Sequence, residues 1–273
     1  MYFITISEMM GTNGDKIAKQ VAQGLGYRFF GEEELMKSAS EKGFLKDFKR
    51  LDEKGPAFFQ AFFSEWPKIS LDRLQSVIYE VAKDGNAVFV GRGSQLLLRS
   101  FDCAFHVLVT GSPGKRAERI AEQTKVGKEL AEKMLQRSDH DRKSFLRFAF
   151  DEDWLNPHLY DLIINMDKLS VDSAAKMVID AAKSDQIKAC GIDSVSSLGK
   201  LALQRKVESV FLEKGLMRPH LFFNVDDPET VRIYGFVDSP EEKEEIGSVV
   251  RKISGVKNVA NDLGILKGAM TGI

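Results

Sequence analysis

The sequence predicts an α/β fold, a parallel sheet with helices on both faces, followed by a small α+β module. Three observations carry that expectation. Short continuous apolar runs recur through roughly the first 184 residues: Tyr2–Ser7, Ala87–Gly91, Phe105–Val109 and Leu162–Asn165. Helical stretches separate them, as in Ser70–Lys83, where Leu71, Leu74, Val77, Ile78 and Val81 recur at helical spacing. Buried strands alternating with helices argue for a sheet covered on both faces. From Asp193 on the order changes to helix, strand, strand, helix, strand.

The first element is the most informative. Ile4-Thr5-Ile6-Ser7 runs into Gly11-Thr12-Asn13-Gly14-Asp15-Lys16, and the helix Ile17–Leu25 follows. A strand, a glycine turn and a helix start make the layout of a phosphate-binding loop, whose backbone N–H groups and helix dipole cradle an anion. Gly11, Thr12, Asn13, Gly14, Asp15 and Lys16 are therefore the candidate phosphate-binding residues. The usual spelling is Gly-x-x-x-x-Gly-Lys-Ser/Thr. Here Asp15 follows the last glycine and the lysine arrives one place late, as Lys16. An acid beside bound phosphates repels them. Gly11 and Gly14 also have the simpler reading of glycines that end a strand.

Basic residues follow the later strands, where ligands collect in such sheets. Arg92 sits in Gly91-Arg92-Gly93, with glycines on both sides that let the backbone approach a ligand. Arg116 and Arg119 follow the third run, after Gly111-Ser112-Pro113-Gly114. Arg137 and Arg142 lie in Arg137-Ser138-Asp139-His140-Asp141-Arg142, whose spacing puts Asp139 and Arg142 on one helix face. Arginines gathered at one end of a parallel sheet suit phosphoryl transfer, because the transferring group spreads its negative charge. Lys16, Arg92, Arg137 and Arg142 are the candidate catalytic residues. Arg119 reads equally well as a solvated or salt-bridged helix residue. Phe58, Phe59, Phe62, Phe63 and Trp66 form a stripe that reads as core or as a homodimer surface, with an acceptor pocket wall as the alternative.

Ser184–Asp193 is small and polar and reads as a linker. Beyond it, Leu203, Val207, Val210 and Phe211 make one helical stripe, and Ile246, Val249, Val250 and Ile253 another. Between them Leu221–Val225 and Val231–Val237 flank the turn Asp226-Asp227-Pro228-Glu229, a hairpin signal. A last strand spans Val256–Ile265 after Gly255. From Asp193 on, eleven Lys and Arg face twelve Asp and Glu, a balance that does not favour electrostatic membrane binding.

The whole chain has 273 residues, 43% hydrophobic and 29% charged, with a formal net charge of -1. Neither nucleic acid nor an anionic surface is expected as a general partner. Cys103 and Cys190 read as unpaired thiols suited to a reducing compartment. The start meets Glu8 too early for a signal peptide, and the expected location is cytoplasmic. His106, His140, His158 and His220 lie far apart without a ligand-spaced partner, so no metal site is expected.

Residues 1–184 resemble the cytidylate kinase-like proteins, a branch of the P-loop nucleoside monophosphate kinases. The pieces that carry the likeness are Ile4–Ser7 with Gly11 and Gly14, Leu25-Gly26-Tyr27-Arg28-Phe29-Phe30, Val90-Gly91-Arg92-Gly93, Asp139-His140-Asp141-Arg142, and Asp153-Trp154 ahead of Tyr160–Asn165. The resemblance implies a core that holds ATP and Mg²⁺, a region that closes over an acceptor nucleotide, and an arginine-bearing lid. It places the Gly11–Lys16 loop on the ATP phosphates, Arg92 on the acceptor phosphate, and Arg137 and Arg142 in the lid. Asp153, Trp154 and Tyr160 would be structural. Two positions depart from the family pattern: Asp15 stands where a basic residue is usual, and Gly31 where an aspartate is frequent.

Residues 194–267 resemble the BON domain through Val231-Arg232-Ile233-Tyr234-Gly235-Phe236-Val237 and Gly255-Val256-Lys257-Asn258-Val259-Ala260-Asn261. That likeness implies a module for a phospholipid surface or a small ligand. Gly235 and Gly255 are also explained as turn and bulge glycines. The combined expectation is an ATP-dependent kinase for a cytidylate-like nucleotide or a small acceptor. The alternative, motivated by Asp15 and Gly31, is a nucleotide-binding sensor whose tail module engages a partner.

Overall fold

The computed structural model describes residues 3–44, 66–185 and 192–266. The N-terminal part opens with β1 (Phe3–Glu8), α1 (Gly14–Leu25), β2 (Arg28–Phe30) and α2 (Glu32–Glu41). It continues with α3 (Trp66–Ala82), β3 (Ala87–Val90), the short α4 (Ser94–Leu97), β4 (Ala104–Thr110), α5 (Pro113–Thr124) and α6 (Lys128–Phe150). β5 (Leu162–Asn165) and α7 (Val171–Ala182) complete it. Five strands pair in the order β2-β3-β1-β4-β5, every pairing parallel. β1 is central, so the loop after it opens at the middle of the sheet's carboxyl edge, beside the end of β3. The edge strand β2, three residues long, carries no apolar run that periodicity could detect.

Two apolar layers hold the sheet. Ile4, Ile6, Val88, Val107 and Val109 face α1 and α7 through Ile17, Val21, Ala174 and Val178. Phe3, Phe89 and Leu108 face the other way, onto Leu74, Val77 and Ile78 of α3 and Phe145 of α6. His106 is structural. Burial pushes its pKa down to about 4 against the pull of Asp161, and its ring hydrogen-bonds the Thr5 hydroxyl at 2.7 Å. Trp154 is 1% exposed and its carbonyl accepts from the Tyr160 hydroxyl at 2.6 Å.

The C-terminal part comprises α8 (Ile192–Glu213), β6 (Leu221–Asp227), β7 (Thr230–Val237), α9 (Pro240–Arg251) and β8 (Asn258–Ile265). The sheet order is β6-β7-β8, antiparallel then parallel. One face packs on α8 and α9 through Val207, Phe211, Val231, Ile233, Ile246 and Val250. The other face is open, with Phe222 stacked on Tyr234 at 5.6 Å and Phe236 56% exposed.

α8 does more than begin this module. Its Leu198 and Ala202 join the core built on α3, and polar pairs lock the two helices. Arg73 meets Glu213 at 2.8 Å, Lys206 meets Glu80 at 3.2 Å and Arg205 meets Asp72 at 3.5 Å. Cys103 is 2% exposed and disulfide-bonded, which corrects the expectation of two unpaired thiols; Cys190 lies outside the described residues. So do Phe58, Phe59, Phe62, Phe63 and the Trp66 side chain, the expected aromatic stripe. Among the described residues no helix is long and apolar enough to cross a membrane.

Candidate active site

The loop between β1 and α1 owes its shape to two left-handed residues, Gly11 at φ 83 and Asn13 at φ 61. Gly11 is obligatory, since a Cβ there would lie 2.7 Å from the Arg116 carbonyl oxygen. Thr12 is fully buried and its hydroxyl donates to the Met9 carbonyl at 2.7 Å. It shapes the loop and faces neither of the cavities described below.

Arg116 and Arg119 stand behind the loop, not over a ligand. Arg116 donates from Nε to the Met10 carbonyl at 2.8 Å, and Asp139 holds its Nη1 and Nη2 at 2.9 and 2.7 Å. Arg119 reaches the carbonyl oxygens of Gly11 and Met166. Gln123 donates to the Asn13 side chain at 2.9 Å. These contacts give Arg116 and Arg119 a structural role, which the sequence had left open for Arg119: α5 clamps carbonyl oxygens of the loop and of Met166 after β5.

The loop borders a cavity of about 550 Å³, lined by Gly11, Asn13, Asp15 and Lys16 and, from α6, by Arg137, Ser138, Asp141 and Arg142. A second cavity of about 460 Å³ adjoins it, with Arg92 and Gly91 after β3 and Glu32, Glu33 and Glu34 from α2. Glu8, Asp15 and Arg142 line both. The structure thus gathers Gly11, Asn13, Asp15, Lys16, Arg137 and Arg142 around one space and Arg92 around its neighbour. Thr12 and Gly14 build the loop from within.

Each arginine is held differently. Arg92 is 6% exposed, sits at φ 59 between Gly91 and Gly93, both also left-handed, and lies 3.7 Å from Glu32. A non-glycine residue in that region is strained and persists where the surroundings fix it. Gly93 serves packing: a Cβ there would meet the Phe150 ring at 2.3 Å, so its missing side chain makes room for α6. Arg142 is half-buried, with its guanidinium 5.3 Å from the Trp154 ring centroid. Arg137 is the exposed one, 3.7 Å from Asp141.

The charge of the first cavity is balanced. Lys16, Arg137 and Arg142 face Glu8, Asp15 and Asp141. Asp15 also pairs with Lys19 at 2.9 Å, and its hydrogen bond and charge raise the Lys19 pKa. The backbone therefore fits a chain of phosphates, while the side chains supply less net positive charge than a triphosphate carries. Ser138 provides a hydroxyl on the cavity wall, since that of Thr12 is engaged. Among the described residues no group of three or more His, Cys, Asp or Glu is arranged for a metal.

Two features of the site were missed in the sequence. Glu8 ends β1 at the carboxyl edge of the sheet, and that position alone was the available signal. Gly31 has a packing reason: a Cβ would meet the Phe29 ring at 2.8 Å, and the Gly31 N–H donates to Glu34 at 3.1 Å. The space an aspartate side chain would need is occupied by that ring.

The model of the cytidylate kinase-like family matches residues 3–168, and that of the BON domain matches residues 201–267. A cytidylate kinase of Pyrococcus horikoshii is 28% identical over 179 residues, spanning 64% of this chain and 85% of its own. One from Methanocaldococcus jannaschii is 27% identical over 191 residues, spanning 65% and 96%. Among solved structures, an uncharacterized protein from Eubacterium ventriosum superposes with a TM-score of 0.53 at 24% identity, over 66% of this chain and 97% of that one. That last likeness shows the fold alone.

Proposed function

The chain belongs to the cytidylate kinase-like family, and on that premise we propose that it transfers the γ-phosphoryl group of ATP to a nucleoside monophosphate, with cytidylate the first acceptor to try. The observation that carries this reading is the pair of adjoining cavities that share Glu8, Asp15 and Arg142. The cavity against the Gly11–Lys16 loop takes the donor phosphates, and the Arg92 cavity takes the acceptor phosphate. Arg142, on both walls, stands where the transferred group passes and stabilises its charge. Arg137 adds a second lid cation, and Lys16 approaches the donor phosphates from the exposed first turn of α1. Mg²⁺ bound with ATP supplies further neutralisation of the phosphate charge. Glu32, Glu33 and Glu34 give the acceptor cavity an acidic wall, which favours an acceptor that offers N–H donors, as the amino group of cytosine does.

A second reading is favoured by the packing of α8 on α3. The chain would bind a nucleotide and pass its state to the BON domain through that helix pair. Its open face, with Phe222, Tyr234 and Phe236, is where a small ligand or a phospholipid would be met.

Ion-exchange chromatography of the protein incubated with ATP, Mg²⁺ and each nucleoside monophosphate tests the kinase reading. ADP appearing together with the matching diphosphate supports it and names the acceptor. ATP returned intact from every mixture removes nucleoside monophosphate kinase activity and leaves the sensor reading.

A further inference from the structure

We propose that Glu8 is an internal competitor for phosphate: its carboxylate occupies the anion seat at the start of α1, and a donor nucleotide binds by displacing it. The inference rests on the donor-site assignment made above and adds to it the residue that sets its affinity.

The first N–H groups of a helix lack intrahelical partners and attract an anion. At α1 that anion is already present, because the Asp15 N–H donates to Glu8 Oε2 at 3.1 Å. The fit depends on Gly14. A Cβ there would lie 2.4 Å from the Glu8 Cβ and 2.6 Å from its Oε2, so the missing side chain makes the room the carboxylate uses. A phosphate oxygen on the same N–H would meet the carboxylate at hydrogen-bonding range, and two anions that close repel strongly in a partly buried site. Both cannot stay.

Displacement requires only side-chain rotation. The Glu8 backbone is fixed in the sheet, in register with Val109 of β4. Its side chain borders both cavities, and so does Arg142, which gives the displaced carboxylate a cation to turn towards. Glu8 thereby acts at the seam between donor and acceptor spaces, and one N–H of the resting loop is already bonded by the chain itself.

The test is calorimetric titration of the full chain with pyrophosphate in Mg²⁺-free buffer, for wild type, Glu8→Gln, Glu8→Ala and Asp15→Asn, with melting curves to establish folding. Pyrophosphate isolates the loop from base recognition and from any phosphoryl transfer. Glu8→Gln keeps the shape and removes the charge, and Glu8→Ala serves if the amide disturbs the packing against Gly14. Both are expected to bind at least tenfold more tightly than wild type. Asp15→Asn, which removes the same charge but leaves the seat filled, is expected to gain less. Measurable binding in the folded Glu8 variants that is no tighter than wild type overturns the inference and leaves the kinase reading standing. An equal gain in Asp15→Asn overturns it too, by assigning the effect to net charge. Absence of binding in all four proteins overturns both.

Discussion

Asp139 grips Arg116 with both carboxylate oxygens, at 2.9 and 2.7 Å, while the same guanidinium donates through Nε to the Met10 carbonyl. Arg116 is 1% exposed. One fork thus ties α5, α6 and the loop after β1 together. Removing Asp139 leaves the Arg116 charge buried without its partner, which costs about 3–5 kcal/mol, whereas removing Arg116 leaves an Asp139 side chain that is 33% exposed and partly solvated. Asp139→Ala should lower the unfolding free energy measured in urea by that order, and Arg116→Ala should lower it through the lost anchor on the Met10 carbonyl. The double variant should lose less than the sum of the two. Additive losses in that cycle would show that the pair is not coupled.

The role proposed for Arg142 separates function from stability. Its cation–π contact with Trp154 is worth about 0.5–1 kcal/mol, whereas loss of a group that stabilises charge in a transition state lowers kcat about a hundredfold or more. Arg142→Ala should therefore melt within a few degrees of the wild type and turn over far more slowly. A kcat equal to that of the wild type takes Arg142 out of the site.

Asp72 makes the α3–α8 joint sensitive to pH. Burial, then the charge of Glu208, pushes its pKa up to about 7 against Arg205 and Lys68. The folded protein consequently holds this proton more tightly than the unfolded chain, whose aspartate titrates near 3.8. The stability it contributes is full below about pH 4 and is lost as pH rises towards 7, at up to about 1.4 kcal/mol per pH unit for one proton. Asp72→Asn should flatten that part of the profile and be the more stable protein at pH 8. Chemical denaturation at pH 5 and pH 8 reads both effects, and an unchanged slope would remove Asp72 as its source.

Gly235 fixes the start of the second sheet. It lies at φ 118, and an added Cβ would come within 2.0 Å of the His220 carbonyl oxygen. Gly235→Ala should destabilise the C-terminal module by more than about 1–3 kcal/mol, the cost of a strained backbone alone, because the backbone of the β6 entry must also move. Gly215→Ala is the contrast, at φ 64 in the left-handed region a non-glycine residue can adopt and with nothing within 4 Å of the new atom, so its loss should be the smaller. Equal losses at both positions would show that the contact with the His220 carbonyl is relieved without cost.

Much of the fold was legible because periodicity is local. β5 was read at its full extent, Leu162–Asn165, and β1, β3 and β4 within a residue or two at each end, since buried parallel strands are continuous apolar runs. The hairpin around Asp226–Glu229 followed from its turn residues. β2 was missed because three residues at a sheet edge carry no period. α8 read as the first helix of a tail module, yet Leu198 and Ala202 also close the N-terminal core. Composition cannot say which partner a helical stripe will bury against.

At the site, the sequence determined the loop, its glycines and the cations around it, because a strand, a turn and a helix start are consecutive in the chain. Tertiary structure decided what each charge does. Arg116 and Arg119 follow a strand just as Arg92 does, but a helix turned one way aims them at carbonyl oxygens behind the loop, while Arg92 and Arg142 line the cavities. Glu8 looked like the end of a strand. Only the folded chain brings its carboxylate to the Asp15 N–H, seven positions further on. Charge type is written residue by residue; which charges meet is set by distances that exist only once the chain has closed on itself.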